Sequence, residues 1–369
     1  MNVLEPSTPQ DLASELKRAN DAGLALAPRG GGTKSAWGNP SFRCDAILST
    51  AYLHRVIEHA WADLTVTVEA GCTLAALQST LAERGQRLAV DALWPEHATI
   101  GGILSANDTG ALRLSFGGLR DLIIGATVAL ADGTLAMSGG KVVKNVAGYD
   151  LPKLVTGALG TLGVITQAVF RLHPLPRHSR TLTLAPASLE DAQRLLLAIQ
   201  SSHLAHTSLQ LRVEAGQQPL LDILIEGTEA GIAAQEATVR GIAGSAKETG
   251  PAVWTARQDL WSIPQGPIVK LSVLPSDIAR TVRLLGQGFA VIQANGLGHA
   301  RLDADSQQLQ ALRVAVEASG GSLTVLRQPQ DARVETWGNP GDSFALMRAL
   351  KQQFDPKGTL NPGRYVGGI

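Results

Sequence analysis

The chain is poor in cysteine: Cys44 and Cys72 are the two it has in 369 residues. Two separated thiols cannot supply the four ligands of an iron–sulfur cluster or the framework of a disulfide-stapled secreted domain. They read as free thiols in a reducing compartment, and the expected location is cytoplasmic. No apolar run approaches the roughly 18 residues of a membrane span. The N-terminal stretch MNVLEPSTPQDLASELKRANDAG lacks the apolar centre of a signal peptide. It reads as a helix, with Thr8 as N-cap, Pro9 at the first helical position, Asp11 at the positive end and Gly23 past the last turn. Neither sign of charge is in excess: 32 Lys and Arg balance 32 Asp and Glu. Such a chain lacks the basic surface that nucleic acid or an anionic membrane selects, so peripheral attachment to an inner membrane would come through partner subunits.

What the sequence does have is glycine, 39 residues of it, set among short β-rich runs and amphipathic segments. With 44 % apolar and 17 % charged residues, the composition is globular. The length calls for two or three domains at about 150 residues each. LALAP, LTVTVEAG, LIIGATVALADG and GVITQAVFRLHPLP read as strands, and TLAALQSTLAERG as a helix capped by Thr73. Beyond the prolines near 174–176 the texture changes. SRTLTLAP and LLDILIEGT read as strands of an antiparallel sheet, with helices in SLEDAQRLLLAIQSS, AGIAAQEATVRGIAG and PSDIARTVRLLGQG. The expected division is 1–176, 177–345 and a turn-rich tail, 346–369. The fold class is α+β.

Three glycine-rich segments carry the chemistry. PRGGGTK, residues 28–34, matches neither GxxxxGK[ST] nor GxGxxG. Consecutive glycines can still turn their N–H groups to one side and form a nest for a diphosphate. Thr33 adds a hydroxyl, and Arg29 and Lys34 add positive charge. TIGGILSANDTG, residues 99–110, reads as a second glycine turn, in which Gly101 and Gly102 permit close backbone approach and Ser105, Asn107 and Thr109 are polar. GALGTLGVIT, residues 157–166, is a third, with Gly160 and Gly163 around a Thr-Leu pair. Three such turns suit one long ligand better than a lone phosphate.

In this order, and together with VEAGCTL, GLRDLIIGATVALADG, KNVAGYDLPKLVTGALGTLGVIT and FDPKGTLNPGR, these segments resemble the FAD-binding domain of the vanillyl-alcohol oxidase/PCMH flavoprotein superfamily. The resemblance implies a PCMH-type two-lobed FAD-binding domain, an α+β cap domain with an antiparallel sheet, and a C-terminal segment that returns to the flavin domain. It implies FAD as cofactor. Arg29, Gly30, Gly31, Gly32, Thr33 and Lys34 would cradle its diphosphate. Thr99, Gly101, Gly102, Ser105, Asn107, Gly160, Thr161, Gly163, Val164 and Ile165 would line the rest. Glycine stands where some members carry a flavin-tethering histidine. His97 and Cys72, nearby in the sequence, read as a loop histidine and a small buried thiol, so the FAD is expected to be non-covalent.

Relatives that oxidise D-2-hydroxy acids carry HxGDGNxH, whose histidines hold a divalent metal. The counterpart here is ANGLGHAR, residues 294–301. Ala294, Leu297 and Arg301 replace the first His, the Asp and the last His. Methyl and isobutyl groups cannot ligate a metal and a guanidinium repels one, so no metal site is expected. Lys144 and Tyr149 in KNVAGYD, and Arg301, are the catalytic candidates. Intact FAD loops beside a degenerate metal motif resemble the FAD-binding subunits of bacterial glycolate oxidases. That resemblance implies an accessory or electron-relay flavoprotein, with a paralogous catalytic flavoprotein subunit and a separate iron–sulfur subunit as partners and a small 2-hydroxy acid as the substrate of the complex. The alternatives are a self-sufficient, metal-free FAD-dependent D-2-hydroxy acid dehydrogenase and a non-catalytic scaffold.

Overall fold

Local signals set the first elements. Thr8 accepts a hydrogen bond from the Asp11 amide at 3.0 Å and opens the helix Pro9–Asp21. Such a cap contributes about 1 kcal/mol. Leu12, Ala13, Leu16 and Ala19, spaced three and four apart, form its buried face. The computed structural model describes residues 2–141 and 150–369. It divides into two compact units: 1–109, 116–175 and 339–369 in the first, and 110–115 and 176–338 in the second. The return to the first unit falls at 339, a little before the expected 346.

The first unit has two lobes. In one, β1 (Asn2–Leu4), β2 (Leu26–Arg29) and β3 (Ala46–Ser49) form a parallel sheet in the order β1-β3-β2. The helix Pro9–Asp21 shares a core with it through Leu12, Leu16, Leu26 and Leu48. The other lobe is built on β4 (Val56–Ala60), β5 (Thr65–Glu69), β7 (Ile123–Ala129), β8 (Leu135–Gly139) and β9 (Val164–Arg171). These pair antiparallel in the order β4-β5-β9-β7-β8. Two short strands, β6 (Gln86–Arg87) and β10 (His173–Pro174), pair separately. The helices Leu74–Ala82 and Ile100–Ala106 bury Leu77, Leu81, Ile103 and Leu104 in a core with Val66, Val68, Ala168 and Phe170.

The second unit is one eight-stranded sheet with helices against one face. Its strands are β11 (His178–Leu184), β12 (Ser208–Glu214), β13 (Leu220–Gly227), β14 (Lys247–Thr249), β15 (Ile268–Ser272), β16 (Gly288–Gln293), β17 (Leu297–Leu302) and β18 (Ser322–Arg327). The order is β14-β11-β13-β12-β16-β17-β15-β18, antiparallel throughout. Leu209, Leu211, Ile223, Ile292 and Ala300 alternate toward the core made with the helices Leu189–Ser201, Glu229–Ala243, Ile278–Leu285 and Ser306–Ala318. The opposite face carries Gln210, Arg212, Asp222, Gln293 and His299, so the strands read as alternating apolar and polar. The expected α+β class, with two lobes in the flavin-type unit and an antiparallel sheet in the second, is the fold found.

Two segments differ from the sequence reading. Residues 99–107 are not a loose turn: Thr99 caps the seven-residue helix Ile100–Ala106, which Asn107 ends at φ 48°. The glycines disguise it, because Gly101 sits where a Cβ would meet that of Ala70 at 2.8 Å. The tail holds a helix, Phe344–Phe354, that spans the expected boundary at 346.

Candidate functional site

The strand β2 runs straight into the glycine loop. A Cβ on Gly30 would fall on the Thr99 hydroxyl, and one on Gly31 would fall on the His97 carbonyl. These two glycines are therefore required by the loop lying flat on the 97–99 backbone, a packing reason the sequence does not reveal. Gly32 has φ 72°, open to glycine at little cost. Among the described residues the amides of Gly30, Gly31, Gly32 and Thr33 donate no hydrogen bond.

Lys34 does not extend its charge into open space. Its ammonium lies 3.1 Å from Asp108 Oδ2, donates to the Leu93 carbonyl at 3.3 Å, and sits over the rings of Trp94 and Trp37. Asp108 in turn accepts from the Leu93 amide at 2.9 Å. Both side chains are buried. The expected phosphate cation is thus neutralised inside the protein and ties the glycine loop to the segment after the helix Ile100–Ala106. Arg364 grips the same loop from the tail, donating to the carbonyls of Lys34, Ser35 and Trp37 at 3.0–3.2 Å. Burial lowers its pKa.

The third wall begins at Leu159, which has φ 51°, a strained value for a leucine. It is held by two bonds: its amide donates to the Ser105 carbonyl at 2.9 Å, and its carbonyl accepts from Asn361 Nδ2 at 2.8 Å. Gly160 follows at φ 73°. The tail secures this wall through Lys351, which reaches Asp355 at 2.6 Å and the carbonyls of Thr161 at 2.8 Å and Leu360 at 3.0 Å. Burial pushes the Lys351 pKa down, against the pull of Asp355. Asp355, with no exposed side-chain surface, also accepts from the amides of Thr359 and Leu360 and from the Thr359 hydroxyl. Leu26 and Leu360 form a parallel bridge beside them.

These walls enclose one narrow cleft, about 80 Å³ within its walls and about 670 Å³ with its open mouth. All the expected cofactor positions line it except Asn107 and Thr161. Asn107 is spent on closing its helix, and Thr161 is buried with its hydroxyl on the Ala158 carbonyl at 2.8 Å. Pro28, Ser35, Thr50, Ala106, Leu159 and Arg364 line the cleft as well. Arg364, brought in by the C-terminal segment, clamps the loop. His97 and Cys72 do not line the cleft. The Cys72 thiol is buried, its pKa raised by burial and then by the Glu69 charge.

The other candidates lie elsewhere. Lys144 and Tyr149 fall outside the described residues. Asp150 caps the helix Leu151–Val155 and pairs with Lys153. In the second unit, residues 294–301 form the turn and second strand of the β16–β17 hairpin. Gly296 has φ 83°, with the Val273 carbonyl where a Cβ would go, and Gly298 packs on Ile292. The hairpin explains both glycines without a metal. Among the described residues no group of three His, Cys, Asp or Glu could hold one. No helix among them is long and apolar enough to cross a membrane.

Comparison with known proteins agrees with this arrangement. Residues 2–138 match the FAD binding domain family, and residues 335–365 match the C-terminal domain of FAD linked oxidases. The chain is 28 % identical to glycolate oxidase subunit GlcE of Escherichia coli (strain K12), over 98 % of both chains. It is 28 % identical to glycolate oxidase subunit GlcD of Bacillus subtilis (strain 168) over 62 % of this chain, a match spanning 48 % of that protein, about half its length. It is 25 % identical to a D-2-hydroxyglutarate dehydrogenase of Xanthomonas citri pv. viticola, over 97 % of this chain and 88 % of that one. Solved structures of alkyldihydroxyacetonephosphate synthase share the fold, with a TM-score of 0.75 at 16 % identity over 98 % of this chain and 75 % of theirs. The FAD binding domain match takes in the first two glycine segments of this cleft, and the chain is similar to the FAD-linked oxidoreductases with a PCMH-type FAD-binding domain. Within them it is related to the bacterial glycolate oxidase subunits and the 2-hydroxy-acid dehydrogenases.

Proposed function

We propose that the cleft holds FAD, with its diphosphate on the amides of residues 30–33, and that the protein is an FAD-dependent dehydrogenase of a small 2-hydroxy acid. The observation that carries this reading is the run of main-chain donors at Gly30, Gly31, Gly32 and Thr33, uncommitted among the described residues and lining the cleft. Such a run fits a dianionic bridge. Each hydrogen bond to a charged group contributes about 1.5–3 kcal/mol, enough to offset the entropy of ordering three glycines. When bound, FAD supplies the two-electron acceptor for oxidation of a CH–OH group.

The protein's own residues hold the mould. Gly30 and Gly31 let the loop lie on residues 97–99, and Lys34 with Asp108 fixes where it leaves the nest. Arg364 adds positive charge at the wall while bracing the loop's carbonyls. Lys351, Asp355 and Asn361 keep the strained turn at Leu159 and Gly160 in place. The substrate class rests on the relatives, whose names share a 2-hydroxy acid.

A second reading is favoured by the end-to-end likeness to GlcE: an accessory or electron-relay FAD-binding subunit, acting with a paralogous catalytic flavoprotein and an iron–sulfur subunit. Anaerobic titration of the purified chain with glycolate and longer D-2-hydroxy acids separates the two. Prompt loss of the oxidised-flavin absorbance in the chain alone supports the dehydrogenase. Reduction that requires the paralogous subunit supports the accessory role. A colourless protein that releases no flavin on denaturation contradicts both.

A further inference from the structure

A second cavity lies wholly within the second unit, where the ends of β12, β16 and β17 meet the loop before β15. It measures about 340 Å³ within its walls, in the range of small-molecule pockets. Arg301, Gln265, Gln287, Glu214 and Asp303 line it. Arg301 is partly buried on β17, its side chain makes no hydrogen bond or ion pair among the described residues, and its Nε is buried without a partner. Its neighbour Arg327 is fully employed by contrast. It donates to the carbonyls of Ile263, Gln265 and Gly266 at 2.7–2.8 Å and lies over the Trp261 ring. Two guanidinium groups thus stand near one another with no carboxylate at ion-pair distance from either. Glu214 and Asp303 are exposed at the mouth and do not reach Arg301.

A half-desolvated cation with idle donors is unfavourable unless something occupies it. Its planar fork matches a carboxylate through two parallel N–H···O bonds. The two acidic side chains at the mouth repel a dianion more than a monoanion, which disfavours phosphate. We propose that this cavity binds a small monocarboxylate, its carboxylate on the Arg301 guanidinium and the amides of Gln265 and Gln287 beside it.

The test is calorimetric titration of the full chain with acetate, glycolate and inorganic phosphate. Saturable binding of acetate or glycolate, with phosphate weaker, is expected. Arg301→Gln should weaken carboxylate binding at least about tenfold, with Arg301→Lys intermediate and bound flavin equal to wild type in both. Glu214→Gln should raise the affinity for phosphate, which keeps the proposal testable if Arg301→Gln does not fold. Absence of saturable carboxylate binding in the wild type, wild-type affinity in Arg301→Gln, or phosphate binding tighter than acetate would each overturn it. The flavin content is read separately, so failure here leaves the flavin assignment standing, and loss of that assignment leaves this one.

Discussion

Replacing Gly31 by alanine probes the glycine loop at its tightest point. A methyl built on Gly31 stands 1.8 Å from the His97 carbonyl oxygen, whereas ordinary contact begins near 3.4 Å, so the loop must retreat by about 1.6 Å. The neighbour is backbone held by hydrogen bonds from the amides of His97 and Ala98 to the Trp94 carbonyl, and it cannot turn away as a side chain could. Overpacking of this kind costs about 1–3 kcal/mol, but the loop is exposed on its cleft side and yields locally. The thermal midpoint of the apoprotein should then fall by no more than about 2–4 °C per kcal/mol expressed globally. Displaced amides lose two or three charge-assisted hydrogen bonds to the diphosphate. At about 1.5–3 kcal/mol each, FAD affinity should fall by at least a hundredfold. Fluorescence titration of apoprotein with FAD, beside a melt of the same sample, reads both quantities. Gly31→Asp should behave at least as badly, chiefly through the same collision. If Gly31→Ala bound FAD within threefold of wild type, the loop would not be the mould it is taken to be.

Other perturbations follow from the same contacts. Lys34→Met and Asp108→Asn should destabilise the protein by similar amounts, about 3–5 kcal/mol as expected for a broken buried pair, read as urea midpoints. A phosphate-binding Lys34 would instead leave Asp108→Asn harmless. Asp355→Ala should free the tail, seen as rapid proteolysis after residue 344, and should weaken FAD binding through the unsupported turn at Leu159 and Gly160. Acidification should destabilise the fold in the range where histidine titrates. Burial lowers the pKa of His206, and burial, then Arg171 and Arg87, lower that of His173. The unfolded chain therefore takes up protons first, near pH 6.5, and stability present above that pH drains away as pH falls toward the folded-state values. Glu69 extends the loss to lower pH. Burial pushes its carboxyl up, but the Arg55 side chain and amide hold it net below the usual range. Urea midpoints at pH 8, 6.5 and 5 check the slope.

The legible parts of this protein are those whose cause is local. The helix Pro9–Asp21 announces itself by Thr8, Pro9 and Asp11, and Leu74–Ala82 by Thr73. β7 and β9 follow from apolar runs between glycine turns. The second glycine segment misleads because the residues that fit Ile100–Ala106 beneath Ala70 are poor helix formers. Phe344–Phe354 buries none of its residues, and the turn-rich FDPKGTLNPGR that follows it dominates the reading of the tail. At the cleft, the positions were readable as motifs but their reasons were not. Gly30 and Gly31 are explained by Thr99 and His97, Lys34 by Asp108, and Leu159 by Asn361, all partners distant in the chain. Arg301 was readable as a catalytic candidate, but the cavity beside it is visible only in three dimensions.

Amide hydrogen exchange of the segment 28–38, with and without FAD, tests the central claim most directly. Slowed exchange at Gly30, Gly31, Gly32 and Thr33 on addition of FAD, with no such change on adding riboflavin, is the predicted result. FAD that binds stoichiometrically while those four amides exchange as fast as in the apoprotein would contradict it.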